Sequence, residues 1–201
     1  MQSGSSLNLG AIMTHPTQSY SQIQSELGAG ERVLWSGQPR QGLVLRGSDL
    51  LLIPFSLLWG GFAFFWEWAV LQSDAPIFFA LWGIPFVLAG LYLILGRFFV
   101  EAKQRERTWY GVTNERIIIV SGLFSRKVKS LNLRTLTDLS LAETKRGEGH
   151  ISFGSGSPFG SLFGGFAGWP GMEAYLGPRF DMIANTKTVY ETIRTAQRAA
   201  A

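Results

Sequence analysis

The sequence predicts a membrane α-helical hairpin joined to a small α+β domain, a curled antiparallel sheet of short strands closed by a C-terminal helix. Three observations carry this. No lysine or arginine occurs between Arg46 and Arg97, although the chain holds 18 of them. After Lys103 the apolar pattern changes to short β-branched and aromatic runs broken by turn formers. From Asn185 to Ala199, apolar residues recur at helical spacing.

The two spans are "LLLIPFSLLWGGFAFFWEWAVL", Leu50 to Leu71, and "PIFFALWGIPFVLAGLYLILG", Pro76 to Gly96. Each holds about 21 residues, close to the ~20 that cross a ~30 Å hydrocarbon core. The link "QSDA" is long enough only for a tight turn. Arg32, Arg40 and Arg46 precede the first span, and Arg97, Lys103, Arg105 and Arg107 follow the second. The positive-inside rule then places both chain ends in the cytoplasm. The net charge of +4 and pI near 9.6 are explained by these flanks, so nucleic acid is not an expected partner. Glu67, between Trp66 and Trp68, reads as a solvated carboxylate in an interfacial aromatic belt, and Arg97 as a side chain that snorkels to the headgroups. Gly60, Gly61, Gly83 and Gly90 are the residues expected to let the helices approach.

The remaining layout follows from composition and period. Residues 1–30, Ser-, Gln- and Gly-rich with Glu26 their only formal charge, read as a disordered tail without a secretory signal. A pre-membrane cytoplasmic segment covers 31–49, the spans 50–71 and 76–100 flank an extracytoplasmic turn at 72–75, and the β-domain occupies 104–199. Within it, Trp109–Val112 and Arg116–Val120 are strands joined by "TNE", and "SGLFS" is a turn with Gly122 at positive φ. Further strands are "RKVKSLNL", "LTDLSLAET", "GHISFG" and "PRFDMIA". In the closing helix Val189, Ile193 and Ala196 form one apolar face, with Asn185 placed at its start.

"VTNERIIIVSGLFSRKVKSLNLRTLTDLSL", "GEGHISFG" and "ANTKTVYETI", in this order, resemble the bacterial pleckstrin-homology-like (PH) domain of small two-span membrane proteins of unknown function. "GERVLWSGQPRQGL", residues 30–43, resembles the segment those proteins carry before their paired helices. The resemblance implies a partly open, seven-stranded barrel or sandwich capped by the C-terminal helix. Residues 154–177, glycine- and phenylalanine-rich, depart from the family's short connection at that point.

Chemistry is sparse. Without cysteine there is no disulfide, thiolate metal site or cysteine nucleophile. His15 and His150 have no companions at ligand spacing, so no metal is expected. No "GK[ST]" follows the glycines and "GSGSPFG" is not a nucleophile elbow, so no cofactor and no catalytic residue is expected. What remains is recognition. Arg126, Lys127, Lys129, Arg134, Lys145 and Arg146 form a basic set suited to anionic headgroups or a partner, each near-surface cation contributing ~1 kcal/mol. Phe159, Phe163, Phe166 and Trp169 sit in a loop expected to cover the barrel or dip into the leaflet. The expected role is a non-catalytic binding protein anchored in a bacterial inner membrane, meeting a protein partner or anionic lipid at the cytoplasmic face. The rivals are an oligomerising structural unit, an accessory subunit of a membrane complex, and a membrane-bound hydrolase or transferase.

Overall fold

A computed structural model describes residues 15–47, 49–144, 147–154 and 177–200. These fall into two compact units. A β-rich unit takes the described residues up to Gln41, from Gln104 to Gly154 and from Gly177 on; a helical unit takes those within Gly42–Lys103.

In the β-rich unit, β1 (Val33–Gly37), β2 (Trp109–Thr113), β3 (Arg116–Ser121) and β4 (Lys127–Asn132) form one antiparallel sheet in that order. The strands β5 (Leu139–Glu143), β6 (Glu148–Phe153) and β7 (Arg179–Ala184) form a second. Register explains the residue pattern. Tyr110 faces Ile119, Val112 faces Ile117, and Ile117 faces Leu131, so one side of the first sheet is continuously apolar. That side meets Ile151 and Phe153 of β6 and Phe180 and Ile183 of β7 in a single core. Phe180 lies at its centre, stacked on Tyr110 at 4.6 Å and edge-on to Phe153 at 4.9 Å. A C-terminal helix covers this core with Val189, Ile193 and Ala196, at the spacing read from sequence. Gly122 has φ +146, and a Cβ there would lie 1.8 Å from the Ser125 carbonyl oxygen, so the turn requires glycine.

Three expectations are corrected. Residues 15–30 are not all disordered tail: His15–Gln24 is a helix, α1, and its Ile23 is fully buried on the outer side of the first sheet against Ile118 and Val120. It approaches over Gly111, where a Cβ would stand 2.6 Å from Ile23 Cγ2. Residues 31–49 are not merely a pre-membrane segment. They supply β1, whose Gly37 pairs with Tyr110 across the helical insertion. The seven strands, finally, do not close as a barrel. No ladder joins β4 to β5 among the described residues. After Asn132 a 3₁₀ turn at Leu133–Thr135 buries Leu133 and diverts the chain. Lys129, opposite core residue Ile119, also puts a charge on the inner side of the β4 edge, where it discourages pairing. The sheets are instead linked at Arg40, whose N–H donates to the Met182 carbonyl at 2.8 Å and whose guanidinium pairs with Glu148 at 2.9 Å.

In the helical unit, α2 spans Asp49–Gln72. A second helix, α3 (Ile77–Leu91), continues through a π-turn at Tyr92–Gly96 into α4 (Arg97–Glu106), an unbroken run of 30 residues. Both are long and apolar enough to cross a membrane. Small residues face inward: Gly60 and Ala63 of α2, Ala80, Gly83 and Gly90 of α3. A Cβ on Gly90 would sit 2.9 Å from Gly60 Cα, so these two set the closest approach, whereas Gly61 faces open space. Large apolar side chains point outward, with Leu50 85%, Leu58 76% and Ile77 73% exposed. The C-terminal helix, Thr186–Ala200, is α5.

Candidate functional site

Two of the family-like motifs, distant in sequence, are one polar network in space. Arg116, closing the "TNER" turn between β2 and β3, donates from Nε to Glu31 Oε1 and from NH2 to Glu31 Oε2, both at 2.9 Å. Thr113 Oγ1 donates to Oε1 at 2.7 Å and the Gly28 N–H to Oε2 at 2.8 Å. Asn114 completes the join by accepting the Arg32 N–H at 2.7 Å and returning its own N–H to the Arg32 carbonyl. Glu31 is buried, and Arg116, with the Gly28 and Thr113 donors, holds its carboxyl down to about 2 from the ordinary 4.5 even though burial pushes the other way. The same pairing raises Arg116. This network fastens the strand before the helices to the domain after them. It also occupies the cation nearest the first β-turn, so Arg116 is not a free ligand contact.

Four of the six residues of the predicted basic set lie among the described residues, in the β3–β4 turn, on β4 and in the 3₁₀ turn after it. Arg126 pairs with Glu26 at 2.7 Å and donates to Ser25 Oγ, which ties the β3–β4 turn to the stretch after α1. Lys127 and Lys129 lie on β4. Lys145 and Arg146 lie outside the described residues, as do Phe159, Phe163, Phe166 and Trp169. Arg134, in the 3₁₀ turn after β4, joins residues that sequence pattern does not single out. With Arg194, Gln197 and Arg198 of α5 it lines an open cavity of about 470 Å³. Gln197 is fixed there by donating to the Leu136 carbonyl at 2.7 Å. Arg194 leans on Tyr190, its NH1 3.4 Å from the hydroxyl. Among the described residues no carboxylate lines the cavity or pairs with Arg134, Arg194 or Arg198. The signal that could have revealed this was the i, i+4 spacing of Arg194 and Arg198 on the exposed side of an otherwise predictable helix.

The helical unit carries its own buried charges. Arg97 does not snorkel. It is buried, with NH2 3.0 Å from Asp49 Oδ1. Arg46 meets Glu101 at 2.7 Å beside it, and the Arg46 N–H donates to Asp49 Oδ2 at 2.6 Å. Two ion pairs thus join the start of α2 to the end of the second helix, where an acidic N-terminus is also favoured by the helix dipole. Glu67 differs from expectation too. One oxygen, Oε2, is buried against Gly83 and has no hydrogen-bond partner among the described residues. It is not a freely solvated belt residue.

No curated protein and no solved structure matches the chain. The sequence profile described as the bacterial PH domain matches residues 50–175. That stretch runs from the first apolar helix through β2 to β6 and omits β1, β7 and α5, which the structure adds to the same antiparallel unit. With more than half of its residues matched and the two sheets and C-terminal helix in place, the chain belongs to the bacterial PH domain family.

Proposed function

We propose that the protein is a non-catalytic binding module anchored in a bacterial inner membrane by its helical hairpin, with both chain ends in the cytoplasm. The observation that carries the reading is the outward apolar surface of α2 and α3. Side chains such as Leu50, Leu51, Leu58 and Ile77 are more than 70% exposed, and a surface of that kind is stable in lipid rather than water. The charge pattern supports the orientation, because Arg46 and Arg97 stand at one end of the hairpin and Asp74 at the other. The family supports a binding role for the β-rich unit, which serves here to meet a protein partner or anionic lipid at the inner face. Anchoring raises the local concentration of that partner, so weak contacts suffice.

The absence of cysteine makes a direct test available. Ser73→Cys, in the turn after α2, and Thr195→Cys, on α5, are each exposed single labelling sites. In intact cells a membrane-impermeant maleimide should label the first and spare the second. After permeabilisation both should react. Equal labelling in intact cells, or release of the chain by alkaline carbonate, would overturn the proposal.

A further inference from the structure

We infer that the cavity formed by Arg134, Arg194, Gln197 and Arg198 is a binding site for a phosphoryl group, either of a lipid headgroup or of a small soluble phosphomonoester. The inference deepens the binding-module reading and rests on it for the domain's role, but not on the position of the hairpin.

The arrangement is costly as it stands. Arg194 and Arg198 are one turn apart on α5, and like charges at that spacing oppose the helix. Arg134 is brought to the same cavity from a different element, the 3₁₀ turn after β4. Four other arginines of the β-rich unit find acids, Arg40 with Glu148, Arg116 with Glu31, Arg126 with Glu26 and Arg179 with Asp181, and Arg107 donates to the Leu123 carbonyl. The three cavity arginines have none among the described residues, so the cluster lacks its counter-charge there. Guanidinium is the group best matched to phosphate, since its planar fork donates two parallel hydrogen bonds to two oxygens. Three forks exceed what one carboxylate accepts but suit the three terminal oxygens of a phosphomonoester. The cavity's volume, about 470 Å³, lies within the range of small-ligand sites. Its framework is held in place. Leu133 and Leu136, which flank Arg134, are buried, Ile193 and Ala196 bury the opposite side of α5, and Gln197 bonds the Leu136 carbonyl. A loose surface cluster would lack that support.

The test uses the full chain in phosphatidylcholine nanodiscs, titrated calorimetrically at low salt with inorganic phosphate and, separately, with dihexanoyl phosphatidic acid below its micellar concentration. Wild type should bind. Arg194→Gln and Arg198→Gln should each weaken binding about fivefold, and the triple variant with Arg134→Gln should abolish it. Lys129→Gln, on β4 and outside the cavity, should change little. All three arginines are exposed, so the variants should keep the fold, which an unchanged melting temperature would show. Tighter binding of the phosphatidic acid than of phosphate identifies the lipid source; equal binding identifies a soluble one. If wild type binds neither, or the triple variant binds as well as wild type, the inference is wrong. Since labelling at Ser73→Cys is independent of this cavity, that result would leave the membrane-anchored reading standing.

Discussion

Glu31 and Arg116 show how much of the domain's integrity rests on one charge pair. A carboxylate whose folded-state pKa is lowered contributes stability above its ordinary value, and that contribution is lost as the pH falls through the folded value. For Glu31 the window runs from 4.5 down to about 2. The stability at stake there is roughly 3 kcal/mol, at ~1.4 kcal/mol for each tenfold change in proton affinity. Urea unfolding of the β-rich unit in detergent should therefore weaken between these pH values, and Glu31→Gln should flatten the profile. Arg116→Met should be worse than either, by about 3–5 kcal/mol at neutral pH, because it leaves Glu31 buried without its counter-ion. Combining Arg116→Met with Glu31→Gln should recover part of the loss. A double variant no better than Arg116→Met would show that the two side chains are not coupled. At this scale the sequence exposes the residues without their relation. "TNER" and "GERV" are both visible as motifs, yet nothing in either announces that Glu31 is the acid for Arg116, because the chain between them leaves as a helical hairpin and returns.

At the scale of elements, legibility follows the strength of the apolar period. Strands β2 and β3 carry Tyr110, Val112, Ile117 and Ile119 inward, all buried, and sequence pattern locates both strands to within a residue. Helix α5 is equally plain, with three buried residues at i, i+4 and i+7. In α1 the pattern fails, since Ile23 is the one residue of the helix, among those described, that joins Ile118 and Val120 in the outer cluster, and the rest of "HPTQSYSQIQ" is mainly polar. A helix whose docking rests on so few apolar contacts is read as tail from sequence. What positions it lies on the partner: Gly111 leaves space for Ile23 on a strand otherwise rich in large residues. Gly111→Val should displace α1. Hydrogen exchange should then lose protection across residues 18–24 while β2 and β3 keep theirs. If α1 stays protected, Ile23 can find another seat and the contact does not fix the helix. The open edges of β4 and β5 are likewise unreadable, because strand pattern specifies which face is buried and leaves the pairing of neighbours to the turns between them.

For the whole molecule, the informative fact is that the helices interrupt a β-hairpin. Strands β1 and β2 are antiparallel neighbours with Gly37 opposite Tyr110, and Gln41 Nε2 donates to the Arg105 carbonyl at 3.2 Å. The chain therefore leaves the β-rich unit and re-enters it at adjacent points. That makes β1, which sequence pattern alone assigns to a pre-membrane segment, the seventh strand. A run of five residues, "VLWSG", is too short to show alternation against a distant partner, and it gives no other indication. Excision provides the decisive consequence. Replacing residues 42–103 by a short Gly-Ser linker removes the helical unit while keeping Arg40, Gln41, Glu31 and both strands. Closure of so short a loop between neighbouring strand ends is entropically mild. The product should be soluble and monomeric, with a dispersed amide spectrum and cooperative unfolding, and it should retain the acid-sensitive window set by Glu31. A second excision starting at residue 31, which discards β1 and Glu31 as well, should leave Arg116 without its acid and the edge of β2 uncovered, and should aggregate. If both excised proteins behave alike, β1 is dispensable and the domain begins after the helices; if only the first folds, the bacterial PH domain of this chain is a single unit into which the hairpin has been inserted.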